Sequence, residues 1–277
     1  MKRTLILGAA VLALCAAAFF VYRALRPETV DVMWVPGRSV WEHAKTLEQQ
    51  SLIGSAETLA LISDEAFARS LGLPIRDREP RGDGVDSTWL EGFLFPDTYR
   101  VEKAGSAREV LTRAASQFKR FWDQLVSEHG AEVQRLETEL GLSEADLVVL
   151  ASLVEEEMAN KDEAPRIAGV FLNRLKKKMR LETDPTLMYR PDRVARKPTP
   201  TERRDRTNPY NTYTIAGLPP GPICSPGREA LRAVLTSERH DYLFFVARRD
   251  GSREHAFATT LEEHERNIDR YLRKRAP

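Results

Sequence analysis

The stretch from Leu147 to Val154 constrains the fold of this chain more than any other, because Ser152 alone interrupts its apolar residues. A helix with apolar side chains on every face has to be buried. Ser143 stands at the position of a helix N-cap, so we predict that a helix begins near residue 144. This helix should lie in the core, with the rest of the fold packed around it.

Three consecutive carboxylates follow at the C-terminal end of this helix, where the helix dipole disfavours negative charge: Glu155, Glu156 and Glu157. In helical geometry Glu157 lies above Leu153 and Leu150, so we expect it to face the core or a cleft. Burial raises a carboxyl pKa and keeps the group protonated near neutral pH, which a general acid requires. The alternative is a solvated helix end, because charge runs usually face water.

Further along the chain, polar side chains stand within rigid or apolar segments. These are Asn173-Arg174, Leu181 to Thr186, Asn208 to Tyr213, and Gly217 to Pro222. Pro and Gly fix loops in place, and rigid loops that carry Asn, Tyr and Thr are suited to binding sugars. Each segment is also compatible with ordinary turn chemistry.

The remaining elements predict an α+β fold. Val30 to Val35 alternates like a strand, and Trp89 to Tyr99 indicates a buried strand followed by a turn. Tyr242 to Ala247 and Glu254 to Ala258 predict a hairpin joined across Asp250-Gly251. No βαβ series indicates a doubly wound sheet.

The N-terminus predicts a membrane anchor over residues 4–23, behind a short cytoplasmic end at residues 1–3. Lys2 and Arg3 precede 19 uncharged residues, Thr4 to Tyr22, which is about the length of a membrane-spanning helix. A cleaved signal peptide is the competing interpretation, but the run is long for one and no clear cleavage site follows. Positive charge on both flanks leaves the orientation open, although the basic N-terminus favours the cytoplasm.

Composition and residue spacing argue against a nucleic-acid partner, a disulfide framework and a bound metal or cofactor. Lys plus Arg number 42 against 41 for Asp plus Glu, so no excess of positive charge suggests nucleic acid. Cys15 and Cys224 are the two cysteines, and Cys15 lies in the expected anchor, so no disulfide framework is predicted. The five histidines lack the spacing of metal ligands, so we predict neither a metal nor a cofactor.

Five sequence strings, in this order, resemble the MltG/YceG-like family of endolytic murein transglycosylases. They are WLEGFLFPDTY (89–99), ASLVEEE (151–157), VFLNRL with MRLETDPTLMY (170–189), NPYNTYTIAGLPPGPICSPG (208–227) and YLFFVARRDGSREHAF (242–257). The resemblance covers about residues 89 to 275 and the anchor. It implies a YceG-like catalytic domain over residues 89–277, preceded at residues 24–88 by a small module that looks similar to the end of a LysM-like region, with a linker.

The resemblance also implies an activity and a place for it. The family consists of single-pass inner-membrane proteins whose periplasmic domain cleaves the bond between N-acetylmuramic acid and N-acetylglucosamine in nascent strands. The products end in 1,6-anhydromuramic acid, and the cut terminates strand elongation. The implied partners are peptidoglycan strands and peptidoglycan synthases, with no nucleic acid.

The family's catalytic glutamate falls on Glu157 and its first acidic position on Glu155. Glu156 stands where the family commonly has a basic residue. One carboxyl group suffices for this reaction, because the nucleophile is the C6 hydroxyl of the sugar. We predict that six residues bind or orient the sugar: Glu155, Thr183, Asp184, Thr186, Asn211 and Tyr213.

Two alternatives stay open. The first is a muramidase that activates water, with Glu155 or Asp184 as its second carboxylate. The second is a non-catalytic peptidoglycan-binding or division-scaffold protein with the same fold. An intact Glu157 favours the enzyme, since a degenerate relative need not keep it.

Overall fold

The structure is a computed structural model. It describes residues 14–20, 22, 26–50, 53–76, 88–103, 105–191 and 196–273. The anchor expected over residues 4–23 lies largely outside these ranges, as does most of the linker expected between Arg76 and Ser87. None of the helices in the described ranges is long and apolar enough to cross a membrane.

Helices of varied length and short strands make up the described chain, so the fold is α+β, as predicted. The strands are β1 (Thr29–Met33), β2 (Thr98–Glu102), β3 (Phe244–Ala247) and β4 (His255–Ala258). The first helices are α1 (Val40–Gln49), α2 (Ser55–Ile62), α3 (Glu65–Ser70), α4 (Ala107–Glu128), α5 (Gly130–Leu140) and α6 (Glu144–Glu157). After a 3-10 turn (Lys161–Glu163) come α7 (Ala164–Lys176), α8 (Asp184–Leu187), α9 (Pro200–Arg204), α10 (Arg228–Leu235) and α11 (Leu261–Ile268), which continues into a π-helical turn (Asp269–Arg273).

The strands form two separate antiparallel pairs. β1 pairs with β2 from Thr29 opposite Glu102 to Met33 opposite Thr98. β3 and β4 form the predicted hairpin, with Phe244 opposite Ala258. A two-stranded sheet is marginal on its own, so both pairs depend on the helices packed against them.

Helix α6 lies at the centre of the fold, as its apolar residues predict. Ser143 caps it: its hydroxyl accepts a hydrogen bond from the Asp146 amide at 3.3 Å, and the Asp146 carboxylate accepts one from the Ser143 amide at 2.8 Å. Every residue from Ala145 to Val154 is buried. α7, α8 and α10 pack against α6. The prediction of a buried central helix is confirmed.

The prediction of a buried strand within Trp89 to Tyr99 is wrong for most of that segment. Tight turns replace it, such as the one closed by the bond from the Glu91 amide to the Thr88 carbonyl at 3.0 Å, and β2 begins only near the segment's end. Gly92 has a φ of +83°, and a Cβ there would lie 2.5 Å from the Pro222 side chain. A continuous apolar run indicates burial but carries no period, so it does not distinguish a strand from buried turns.

The N-terminal segment contributes to the same hydrophobic core as the segment after it. β1 precedes the domain boundary expected after residue 88, whereas its partner β2 follows it. The Glu91 carboxylate accepts a hydrogen bond from the Val40 amide at the start of α1 and another from the Tyr189 hydroxyl, both at 3.1 Å. The division at residue 88 stays a prediction.

Candidate active site

Glu157 is the last residue of α6 and lines a cleft of 410 Å³. One border of the cleft consists of the loop at residues 181–183, the start of α8 at Asp184, and Tyr213. The hairpin and α11 border it elsewhere, through Phe244, Phe245, Leu261 and His264. The carboxyl side chain of the last residue of the central helix therefore lies in a cleft between two parts of the fold.

The surroundings of Glu157 favour its protonated form. The side chain is half-buried, and burial is the main cause that raises its pKa to about 7. The negative charge of Asp184 raises the pKa further, whereas a hydrogen bond from the Thr183 hydroxyl and the charge of Arg174 oppose the rise. A carboxyl group with a pKa close to neutral pH can both give and take a proton there.

Glu155 points to other neighbours and does not line this cleft. Its carboxylate accepts a hydrogen bond at 2.9 Å from the amide of Gly227, which caps α10. Burial raises the pKa of Glu155 to about 7, against the opposing effect of that bond. Gly37 packs beside the same helix end, where an added Cβ would lie 3.8 Å from Glu156. Glu155 thus connects the end of α6 to α10.

Asp184 lines the cleft with both oxygens already engaged. Arg203 donates to it with two nitrogens at distances of 2.9 to 3.1 Å, and the Tyr213 hydroxyl donates at 2.7 Å. Burial and the bond to Asp184 raise the pKa of Tyr213, which keeps its phenol protonated. Asp184 therefore contributes a negative charge that is held in place by a cation and a phenol.

Thr186 lies behind the cleft wall and is fully buried. Its hydroxyl donates to the Thr183 carbonyl at 2.8 Å and shares a hydrogen bond of 3.0 Å with the Thr212 hydroxyl. The Thr212 hydroxyl in turn accepts from the Thr183 amide at 3.1 Å. These bonds fix the backbone of Thr183, whose hydroxyl meets Glu157.

Asn211 is also fully buried and holds a loop together. Its amide nitrogen donates to the carbonyls of Glu202, Arg203 and Asp205 at 3.1, 3.3 and 2.6 Å. Its amide oxygen accepts from the Tyr213 amide at 3.0 Å. Asn211 therefore positions the two residues that hold Asp184, without facing the cleft itself.

Arg174 also lines the cleft. The sequence singled it out only as part of a polar pair within an apolar segment and predicted no role of its own. It is buried on α7, and its guanidinium donates to the carbonyls of Leu243, Arg180 and Leu181 at 2.6 to 3.1 Å. Glu182 follows with a φ of +50°, a strained conformation for a residue other than glycine. Arg174 thus joins the hairpin to the loop that carries Thr183.

The geometry is that of a general acid/base site. The cleft is lined by Glu157, whose pKa is raised, and by two further carboxylates. Asp184 is held by a cation and a phenol, and Glu182 lies 3.5 Å from the Arg174 guanidinium. Within the described residues, no group of three or more His, Cys, Asp or Glu side chains is placed to hold a metal ion. Proton transfer by Glu157 is the chemistry that these residues support.

Comparisons with known proteins identify the family of this chain. Residues 15–270 match the sequence model of the YceG-like family. The chain belongs to the YceG-like family. A crystal structure of a YceG-like protein from Listeria monocytogenes is similar, with a TM-score of 0.70 and 29% sequence identity over 85% of this chain and 75% of that one. The predicted family is confirmed.

Two curated relatives of this YceG-like chain carry the name endolytic murein transglycosylase. The protein from Bacillus subtilis (strain 168) is 31% identical over 246 residues, which make up 85% of this chain and 63% of the relative. The protein from Streptococcus pneumoniae serotype 2 (strain D39 / NCTC 7466) is 27% identical over 227 residues, or 77% of this chain and 38% of the relative. The chain therefore spans less than two thirds of the length of either relative.

Replacing Asn211 by Asp in this YceG-like chain should destabilise the fold by about 3 kcal/mol or more, because a carboxylate oxygen would face three carbonyl oxygens in a buried site. Urea unfolding measures the effect. Asn208→Asp is the matched control, since Asn208 uses its side-chain oxygen to accept from the Tyr210 amide at 2.9 Å and an aspartate keeps that acceptor. Equal unfolding midpoints for the two variants would contradict the role of Asn211.

Proposed function

We propose that this chain is an endolytic peptidoglycan lytic transglycosylase, which cleaves between N-acetylmuramic acid and N-acetylglucosamine within glycan strands. The observation that carries the proposal is Glu157, a carboxyl group with a pKa raised to about 7 at the edge of a 410 Å³ cleft. A pKa near the working pH suits a group that acts first as acid and then as base. Membership of the YceG-like family and the names of the curated relatives support the substrate.

The reaction needs two proton transfers at one carboxyl group. Protonated Glu157 donates its proton to the glycosidic oxygen as the bond from that oxygen to C1 of the muramic acid breaks. The resulting carboxylate then accepts the proton of the C6 hydroxyl as the C6 oxygen bonds to C1. The products are a strand that ends in 1,6-anhydromuramic acid and a strand with a free hydroxyl at its new end. No water is consumed, and Glu157 returns to its protonated form.

The state of the neighbouring carboxylates favours this reaction over hydrolysis. A muramidase needs a second carboxylate to activate water or to attack the sugar. Asp184 is held by Arg203 and Tyr213, and Glu155 lies outside the cleft, bonded to the Gly227 amide. Neither of these two carboxylates is free to serve as that second group, and the remaining carboxylate of the cleft, Glu182, is paired with Arg174 at 3.5 Å.

We assign the predicted binding residues to two roles. Thr183, Asp184 and Tyr213 line the cleft and contact the sugar. Three further residues support the cleft from outside it: Thr186, Asn211 and Glu155. Substitutions in this second group would act through the stability or shape of the site.

The proposed position of the chain relative to the membrane follows from its N-terminus. We infer a single-pass anchor over residues 4–23, a LysM-like module with a linker over residues 24–88, and a catalytic domain over residues 89–277 on the periplasmic side of the inner membrane. The 19 uncharged residues at the N-terminus support the anchor. Nascent strands are made at the outer face of that membrane, which makes peptidoglycan synthases natural partners. The cut would then terminate strand elongation.

The non-catalytic alternative explains less of the site. Burial raises the pKa of Glu155 and Glu157 alike, but of the two Glu157 lines the cleft. Carboxyl groups with perturbed pKa values that face a cleft are typical of catalytic sites, where the chemistry requires them. Glu157 therefore favours an enzyme over a scaffold.

Digestion of purified, uncrosslinked glycan strands by the protein tests the proposal. Mass spectrometry of the fragments should detect 1,6-anhydro ends, each lighter by one water than a reducing end. Fragments with reducing ends would identify a muramidase instead. Intact strands that remain bound to the protein would support the non-catalytic alternative.

Replacing Thr183 by Val should move the alkaline limb of the kcat/KM profile to higher pH by about one unit. The Thr183 hydroxyl stabilises ionised Glu157. Its loss therefore raises the pKa of Glu157, which stays protonated up to a higher pH. The size follows because a hydrogen bond to a charged group is worth about 1.5 kcal/mol, and one pKa unit corresponds to about 1.4 kcal/mol. Thr183→Ser keeps the hydroxyl and should keep the limb in place. A shift to lower pH in the Val variant would contradict the assignment.

A further inference from the structure

His264 has an unusual environment on the part of the cleft formed by the hairpin and α11. Its imidazole stacks on the ring of Phe244, with the ring centroids 5.2 Å apart and the planes inclined by 22°. The guanidinium of Arg174 lies 5.1 Å from the centroid of the same Phe244 ring. Because Phe244 belongs to β3 and α11 packs on both strands of the hairpin, the plane of the imidazole is fixed by packing.

Neither nitrogen of His264 makes a hydrogen bond to the residues that the structure describes. Among these residues, Nδ1 is shut off from solvent without a partner. Other histidines of the same half of the chain are engaged: His240 bonds to the Arg166 carbonyl at 2.9 Å, and His255 bonds to the Glu163 carboxylate at 2.9 Å. Nε2 of His264 is therefore the ring nitrogen that a ligand in the cleft can reach.

The charge state of His264 restricts the ligand. Burial lowers the pKa of His264, and the positive charge of Arg174 lowers it further, against a smaller effect of Glu265. The imidazole is therefore neutral at pH 7. Since Nδ1 is enclosed, the neutral ring offers a ligand one hydrogen-bonding position, Nε2, as either donor or acceptor. A hydroxyl or an acetamido group can pair with either form, which a carboxylate cannot.

An apolar surface lies beside the His264 imidazole. Leu261, one turn before His264 on α11, lines the same cleft and is 57% exposed. Phe244 and Phe245 line the cleft next to it and are half-buried. Sites for neutral ligands commonly combine apolar side chains with a few placed polar groups. A pyranose ring has the matching surface, since its C–H groups make a face apolar while hydroxyl and acetamido groups project from its edge.

The following inference rests on the proposed function and extends it to a second part of the cleft. We propose that His264, Leu261 and Phe244 form a saccharide subsite that takes a neutral N-acetylated pyranose. Nε2 of His264 bonds to a hydroxyl or acetamido group, and the apolar face of the ring packs on Leu261 and the edge of Phe244. An enzyme that cuts within a strand must hold sugars on both sides of the broken bond, and this surface is continuous with the cleft at Glu157. The subsite holds one of them.

Binding measured without turnover tests this subsite. In the Glu157→Gln background, the affinity for a labelled, peptide-free glycan oligosaccharide of alternating N-acetylglucosamine and N-acetylmuramic acid is read by fluorescence anisotropy. Adding His264→Phe should weaken binding about 5–10-fold, because the ring still stacks but the hydrogen bond is lost. His264→Gln keeps an amide donor and acceptor and should lose less. Glu265→Gln, an exposed neighbour on α11, is the control and should bind like the parent.

Leu261→Gln is the second variant, because its exposed position lets the fold tolerate the change. It should weaken binding about threefold with an unchanged unfolding temperature, and it decides the question if His264→Phe does not fold. Affinities within twofold of the parent for both variants would overturn the subsite and leave the proposed function intact. Absence of glycan binding by the parent, together with absence of cleavage by the unmodified protein, would overturn both.

Discussion

Replacing Glu157 by Gln is expected to lower the rate of glycan cleavage by about 10²–10⁴-fold, the range that a general acid/base group contributes. The glutamine keeps the size of the side chain and an acceptor for the Thr183 hydroxyl, but it carries no acidic proton. Strand binding should therefore stay within about threefold of the unmodified protein. Mass spectrometry of anhydro-ended fragments from uncrosslinked glycan measures the rate.

The matched control is Glu156→Gln, one residue earlier on the same helix end and outside the cleft. It should cleave at a rate within about twofold of the unmodified protein. Loss of cleavage in the Glu156 variant, with activity kept in the Glu157 variant, would shift the catalytic position by one residue. Full activity in both variants would remove the α6 carboxylates from the mechanism.

Replacing Gly92 by Ala is expected to destabilise the protein by about 2–5 kcal/mol, a large fraction of the stability of an ordinary domain. Two costs add. A left-handed conformation costs a non-glycine residue about 1–2 kcal/mol, and Gly92 has a φ of +83°. The new Cβ would also lie 2.5 Å from Cβ and Cγ of Pro222, and overpacking costs about 1–3 kcal/mol. Urea unfolding gives the free energy of unfolding directly.

Gly217→Ala separates the two costs. Gly217 has a φ of +80°, and no atom lies within 4 Å of a Cβ built there. This variant should therefore lose about 1–2 kcal/mol, from the backbone conformation alone. Equal losses for the Gly92 and Gly217 variants would show that Pro222 yields to the new methyl group at little cost.

Helical periodicity was sufficient to predict the buried central helix. It ranked Glu157 as the carboxylate most directed towards the core, but alone it favoured a solvated helix end, and the family resemblance decided for a cleft. Leu147 to Val154 had to be buried, and the positions of Leu150 and Leu153 selected Glu157 over its neighbours. The structure places Glu157 in the cleft, whereas Glu155 bonds to Gly227. The Trp89 to Tyr99 segment was misjudged in its geometry, since its apolar run lacks a period and Gly92 turns the chain.

Loops were harder to predict, because adjacent loop residues point in directions that no repeat specifies. Asp184 and Tyr213 line the cleft, but Thr186 and Asn211 from the same segments lie behind it. The sugar-binding roles themselves stay predictions. His264 could not be connected to Glu157 from the sequence, since the fold alone brings residues so far apart along the chain to one cleft.

Because β1 pairs with β2, the folded part begins at Thr29, and this limits how far its start can lie from the membrane. β1 begins at Thr29, six residues after Arg23, where the proposed anchor ends. Six extended residues span at most about 20 Å. With the proposed anchor, the start of β1 would lie within about 20 Å of the bilayer, less than the thickness of the hydrocarbon layer, which is roughly 30 Å. The folded part would then stay next to the membrane surface, where new strands emerge.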